Sequence, residues 1–321
     1  MRALLLVGAV LLAMTACDDD DSSISAATPS ASAPSSPAPA PATPLPRPLS
    51  YHVVASQPVP LTTQGIALFG DKVAYVEGDQ RLVWMSWRTG DRSTVYRSTY
   101  GSLYLLDNGG RYRYLVDEMP SPAGDDPSSP RRYLALDLST GRVAETDYPT
   151  HARIVGELND ARIEIERALR PDGRESWRSD LVLVDQQPDP DVPRRPLTSS
   201  GLVVQAAYDR KHRVVWTERA RNMIADPQRL WTVDIFQPEE APQLLLDDPD
   251  IVPYDPVIGR GYVGWTEYGE HLVLMPLAGG PVTRVPGHVA VANGPSAYGR
   301  IVAVVLTRRG ESRLEVLRVD P

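Results

Sequence analysis

Gly259-Arg260-Gly261-Tyr262-Val263-Gly264 carries the G-x-G-x-x-G spacing that lets a backbone approach a pyrophosphate. That chemistry needs a strand before the loop and a helix opening within it, whose N-terminus faces the phosphates. The next residues, Trp265-Thr266-Glu267, continue instead as a strand, so the glycines read as a turn between two strands. Gly294-Pro295-Ser296-Ala297-Tyr298-Gly299 is the nearest approach to a nucleophile elbow and has the wrong spacing for one. His52, His151, His212, His271 and His288 form neither an H-x-H nor an H-E-x-x-H pair, so a transition-metal site would need ligands from separate parts of the fold. Asp-rich stretches occur at Asp125-Asp126, at Asp185, Asp189 and Asp191, and at Asp247, Asp248, Asp250 and Asp255. None has the spaced D-x-D-x-D-G pattern of a calcium loop, and they read as solvated loop carboxylates. The expectation is no metal, no cofactor and no catalytic residue.

The single Cys is better placed. Behind Arg2, the apolar run from Ala3 to Met14 is too short to span a bilayer, which takes about 20 helical residues, and fits a signal-peptide core. Met14-Thr15-Ala16-Cys17 directly after it resembles the lipobox of bacterial lipoproteins, with Met14 where Leu is usual. The resemblance implies cleavage before Cys17, lipidation of that residue and anchoring to the extracytoplasmic side of the cell membrane. Asp18 to Asp21 cannot enter hydrocarbon and mark where the membrane segment stops. From Ser22 to Ser50 the chain is largely Ser, Ala, Thr and Pro, with too little apolar surface to offset its ordering entropy. Three parts follow: residues 1–16 as lipoprotein signal peptide, 17–50 as lipidated Cys and disordered tether, and 51–321 as folded domain.

Composition bounds what that domain does. Lys and Arg number 33 against 41 Asp and Glu, a net charge of -8, which disfavours nucleic acid or an anionic lipid surface as partner. With 31 Pro among 321 residues and no sustained 3.6-residue apolar stripe, the chain reads as all-β.

One pattern recurs. Lys72–Glu77, Arg213–Glu218 and Tyr262–Glu267 are β-rich runs, each followed by a second strand: 81–87, 229–234 and 271–277. A Gly turn and a short polar strand come next, and weaker copies begin near Ser102, His151 and Val289. A unit of four strands repeated at about 45 residues is a propeller blade, and the length accommodates six. The last unit lacks an outer strand, and the orphan strand at 52–62 would complete it, leaving no open sheet edge.

The segments Tyr133–Gly141 and Leu272–Pro281 resemble the strand-turn signature of TolB-like six-bladed propellers. The resemblance implies that architecture and little about function, because such propellers serve as partner-binding proteins and as non-catalytic domains of peptidases. Tyr75, Trp216 and Trp265 hold equivalent positions and read as core between blades. Two residues on, Glu77, Asp117, Glu166, Glu218 and Glu267 mark the same strand end in five units, with Leu306 in the sixth. Such a ring of acids is a candidate binding face for a cation or a basic partner. The reading is a monomeric, non-catalytic binding or scaffold module for a protein, peptide or glycan of the cell envelope. Its alternative is a lactonase- or lyase-like propeller enzyme with a metal in the central channel.

Overall fold

The computed structural model describes residues 47–106, 113–120, 132–146, 152–158, 161–169, 175–185, 194–219, 227–237, 239–267, 270–289 and 294–321. Cys17, the signal peptide and the tether up to residue 46 lie outside the described residues, as do Asp125, Asp126, His151, Asp189 and Asp191. No helix of the described residues is long and apolar enough to cross a membrane.

The architecture is the six-bladed β-propeller expected from the sequence. Five antiparallel sheets are consecutive four-stranded meanders. The first blade comprises Thr63–Phe69, Lys72–Glu77, Arg81–Ser86 and Arg92–Arg97. The second comprises Gly101–Leu106, Arg113–Pro120, Arg132–Asp137 and Val143–Glu145, and the third Ala152–Glu157, Ala161–Leu169, Glu175–Asp185 and Arg195–Pro196. Val203–Tyr208, Arg213–Arg219, Pro227–Asp234 and Gln243–Asp247 form the fourth, and Pro253–Gly259, Tyr262–Glu267, His271–Pro276 and Thr283–Val285 the fifth.

The sixth blade closes the ring. Its core strands are Ile301–Arg308 and Glu311–Asp320, and its innermost strand is split into His288–Val289 and Ser296–Tyr298. The outer strand is Ser50–Pro58, which runs antiparallel to the C-terminal strand from the Ser50–Asp320 pair to the Pro58–Arg313 pair. The N-terminal strand therefore does complete the last blade, beginning slightly earlier than the pattern suggested. Leu49 is already buried in the core and its carbonyl accepts a 2.9 Å hydrogen bond from Thr283 Oγ1.

Face-to-face stacking explains the sequence pattern. A second strand is covered on both sides by neighbouring blades, so Lys72–Glu77 and Tyr262–Glu267 are nearly continuous buried runs, whereas the outer Arg92–Arg97 is mostly exposed. The hydrophobic clusters lie between blades. Trp216 packs with Val155, Ile163 and Ile165 of the third blade, Trp265 with Ala207 and Val215 of the fourth, and Tyr75 with Val305 and Val316 of the sixth. These aromatics are core residues, and truncating such a ring costs about 3–5 kcal/mol.

The G-x-G-x-x-G stretch is the turn between the first two strands of the fifth blade. Gly259 leaves room for the ring of Tyr262, which a Cβ there would meet at 2.2 Å, and Gly261 turns the chain at φ 85°. Ser296 is fully buried, and its Oγ accepts the Leu68 N–H at 3.0 Å, joining the sixth blade to the first.

Candidate functional site

All six blades contribute innermost residues to a cavity of about 150 Å³ on the ring axis, lined by Gly65, Leu105, Arg153, Gln205, Asp255 and Gly294 among others. The innermost strands of the first, third, fourth and fifth blades each carry a register shift in this stretch. In the fifth blade the shift falls between Tyr254 and Val257, so that Asp255-Pro256 bulges out of the ladder. A Pro, which cannot donate to the ladder, is at home in such a bulge. Asp255 adopts φ 46°, a left-handed backbone that an Asp tolerates better than most side chains. Gly294 lies against it, where a Cβ would come within 2.9 Å of the Asp255 Cβ.

Asp255 and Gln205 grip each other twice: Gln205 Nε2 donates to the Asp255 carboxylate at 2.7 Å, and the Asp255 N–H donates to Gln205 Oε1 at 2.8 Å. Burial pushes the Asp255 carboxyl above the usual carboxylate range, against the opposing pull of the Gln205 hydrogen bond and the Arg153 charge. An amide, a guanidinium and a strained carboxyl thus converge at one channel mouth.

This corrects the reading of Asp255 as a solvated loop carboxylate. It belongs to the strand Pro253–Gly259, sits in that strand's bulge and lines the cavity on the axis. The signal available was the Asp-Pro pair inside an otherwise strand-like run. Asp185 and Asp247 are also strand residues, each the exposed last residue of its strand, with Asp247 paired to Arg229 at 3.1 Å. Of this group Asp248 and Asp250 are the turn acids, Asp248 accepting the Asp250 N–H at 2.9 Å.

The acidic ring is present but engaged. In the second blade its register equivalent is Glu118, which pairs with Arg132 as Glu77 does with Arg81, Glu218 with Arg229 and Glu267 with His271. Asp117 sits one residue earlier, and one residue in a strand is the opposite face. Glu77 binds Arg81 at 2.6 Å, Glu118 accepts the Tyr96 hydroxyl at 3.1 Å, and Glu166 pairs with Arg194. Glu218 accepts Ser200 Oγ at 2.7 Å and Trp216 Nε1 at 3.2 Å, and Glu267 takes a two-pronged bond from Arg284 at 2.8 and 2.9 Å. Arginines pair with Glu77, Glu166 and Glu267, whereas Glu118 and Glu218 are held by the neutral hydroxyl and indole donors of Tyr96, Ser200 and Trp216.

The described histidines are dispersed. His52 faces Asp320 at 3.3 Å, His212 Nδ1 meets Asp234 at 2.7 Å, and His271 bonds the Gly287 carbonyl at 3.1 Å with its ring stacked on His288. Among the described residues no three His, Cys, Asp or Glu side chains gather as a metal site would require.

Solved structures resemble this chain at low sequence identity. The tricorn protease matches with a TM-score of 0.50 at 13% identity over 77% of this chain, which spans only 24% of that protein. The propeller domain of the Trilobed protease from Pyrococcus furiosus matches at 0.46 and 13% identity, covering 81% of this chain and 80% of that one. TolB from Acinetobacter baumannii matches at 0.41 and 12%, covering 80% and 55%. The likeness is one of fold alone. No protein-family model and no curated protein matches the sequence.

Proposed function

We propose that this chain is a lipid-anchored lipoprotein on the extracytoplasmic side of the cell membrane. Its propeller binds a protein, peptide or glycan of the envelope without catalysing a reaction on it, seating a polar group of that partner at the channel mouth beside Arg153, Gln205 and Asp255. The observation that carries the reading is Asp255 itself. A left-handed backbone costs about 1–3 kcal/mol and burial of the carboxyl adds to it, and such strain persists where a site needs the group preorganised. The channel-metal alternative fits the residues poorly. They provide one carboxylate, an amide already bonded to it and a guanidinium that repels a cation.

The anchor and the seat are tested together. Cys17→Ser should move the chain from the membrane to the soluble fraction. On that soluble chain, Arg153→Gln combined with Asp255→Asn should lower capture of envelope material at least ten-fold while circular dichroism stays unchanged. Retention of the Cys17→Ser protein on membranes would contradict the anchor, and undiminished capture would contradict the seat.

A further inference from the structure

The opposite face of the ring has a different character. The turns joining the first two strands of the fourth, fifth and sixth blades border a cleft of about 550 Å³, lined by Asp209, Arg210, Lys211, His212, Arg213, Arg260, Tyr298 and Arg300 with Leu277 and three glycines. Among the lining side chains, five permanent cations face one carboxylate, in a chain whose net charge is -8. That carboxylate is committed, since Asp209 Oδ1 accepts the backbone N–H groups of Lys211, His212 and Arg213 at 2.8, 2.8 and 3.0 Å. His212 is held by Asp234. Among the described residues, no carboxylate lies within ion-pair distance of Lys211, Arg213, Arg260 or Arg300, whereas the acids of the hairpin face have their own arginines or hydroxyl donors.

One of the cations is fixed in place. Arg210 adopts φ 62°, a left-handed backbone unusual for a long side chain. Its guanidinium reaches across the ring to the Leu68 carbonyl of the first blade at 3.0 Å and rests over the Tyr298 ring at 5.4 Å. Tyr298 is in turn held edge-on by Phe69 at 4.9 Å. A preorganised arginine beside four cations without acidic partners, walled by a phenol and a leucine, has the composition of an anion site with a wall for a carbon skeleton. Its volume is within the usual range of small-molecule pockets, about 300–1,000 Å³.

We propose that this cleft binds a small anion carrying two or more phosphate or carboxylate groups. The proposal is independent of the lipid anchor and of the channel-mouth seat, which lies on the other face. Overall net charge conceals such a site, because three turns bring together residues separated by about 90 positions.

Isothermal titration of the full chain with pyrophosphate and with citrate at low salt tests it, with inorganic phosphate as a singly anchored comparison and a heparin fragment as a polymeric one. Arg260 and Arg300 are both exposed, so Arg260→Ser with Arg300→Ser leaves the core untouched. The expected result is saturable binding of pyrophosphate or citrate, tighter than inorganic phosphate. It should weaken at least ten-fold in the double variant and be partly restored by Arg260→Lys with Arg300→Lys. Raising salt to 1 M, where the Debye length falls to about 3 Å, should weaken it as well. Absence of small-anion binding, binding of the heparin fragment alone, or equal weakening by the remote pair Arg97→Ser with Arg142→Ser would each overturn the proposal.

Discussion

At Asp255 the backbone is left-handed and the carboxyl is half-buried, so the residue costs stability twice. Its folded-state carboxyl is raised above the unfolded value of about 3.9, so the folded protein holds this proton more tightly than the unfolded chain does. The associated stability is fully present below pH about 4 and is lost as pH rises through the folded value. Asp255→Asn, which keeps an acceptor for Gln205 and tolerates the same backbone, should therefore raise the melting temperature at pH 7, with the gain shrinking toward pH 4. A pH-independent difference in paired thermal melts, or a loss at pH 7, would contradict this account of the site. Of the residues at the mouth, Gln205 was visible only as one polar position in an apolar strand, and Arg153 carried no signal at all. The acids at the hairpin ends were legible from spacing after Tyr75, Trp216 and Trp265. The second blade defeated that spacing because Val116, not an aromatic, holds the equivalent place two residues before Glu118.

At the scale of elements, closure rests on the strand Ser50–Pro58, whose pairing with Glu311–Asp320 is continued by the Val59 N–H bonding the Ser312 carbonyl at 3.0 Å. Closure was readable because a truncated last unit and an unclaimed first strand are complementary. The starting point was not, since Leu49 follows a Pro-rich stretch and owes its burial to the fifth and sixth blades. Removing residues 1–46 should leave thermal unfolding cooperative and its midpoint within about 2 °C of the full chain. Removing residues 1–60 takes away the outer strand and Leu49, leaves the edge of Glu311–Asp320 unpaired, and should produce aggregation or a broad, early transition. Indistinguishable unfolding of the two truncations would mean that the ring does not depend on this strand.

At the scale of the whole molecule, the propeller presents two unlike faces. One carries the hairpin-end acids, held by their own partners, around the mouth with Arg153, Gln205 and Asp255; the other carries the arginine-rich cleft. The meander repeat, being local in sequence, made the six-bladed ring legible, whereas both sites are assembled from turns and bulges of different blades and emerge only once the ring is closed. The central claim is that the mouth face is where an envelope partner sits. Its most direct test is a photo-crosslinking residue placed singly at exposed positions on each face of the full chain in cells: Ser199 and Asp250 on the mouth side, Thr89 and Arg142 on the opposite side. The account predicts a discrete adduct at Ser199 or Asp250 that disappears when Arg153→Gln and Asp255→Asn are added, and none at Thr89 or Arg142. Adducts confined to the opposite face, or adducts at the mouth that persist in the double variant, would contradict it.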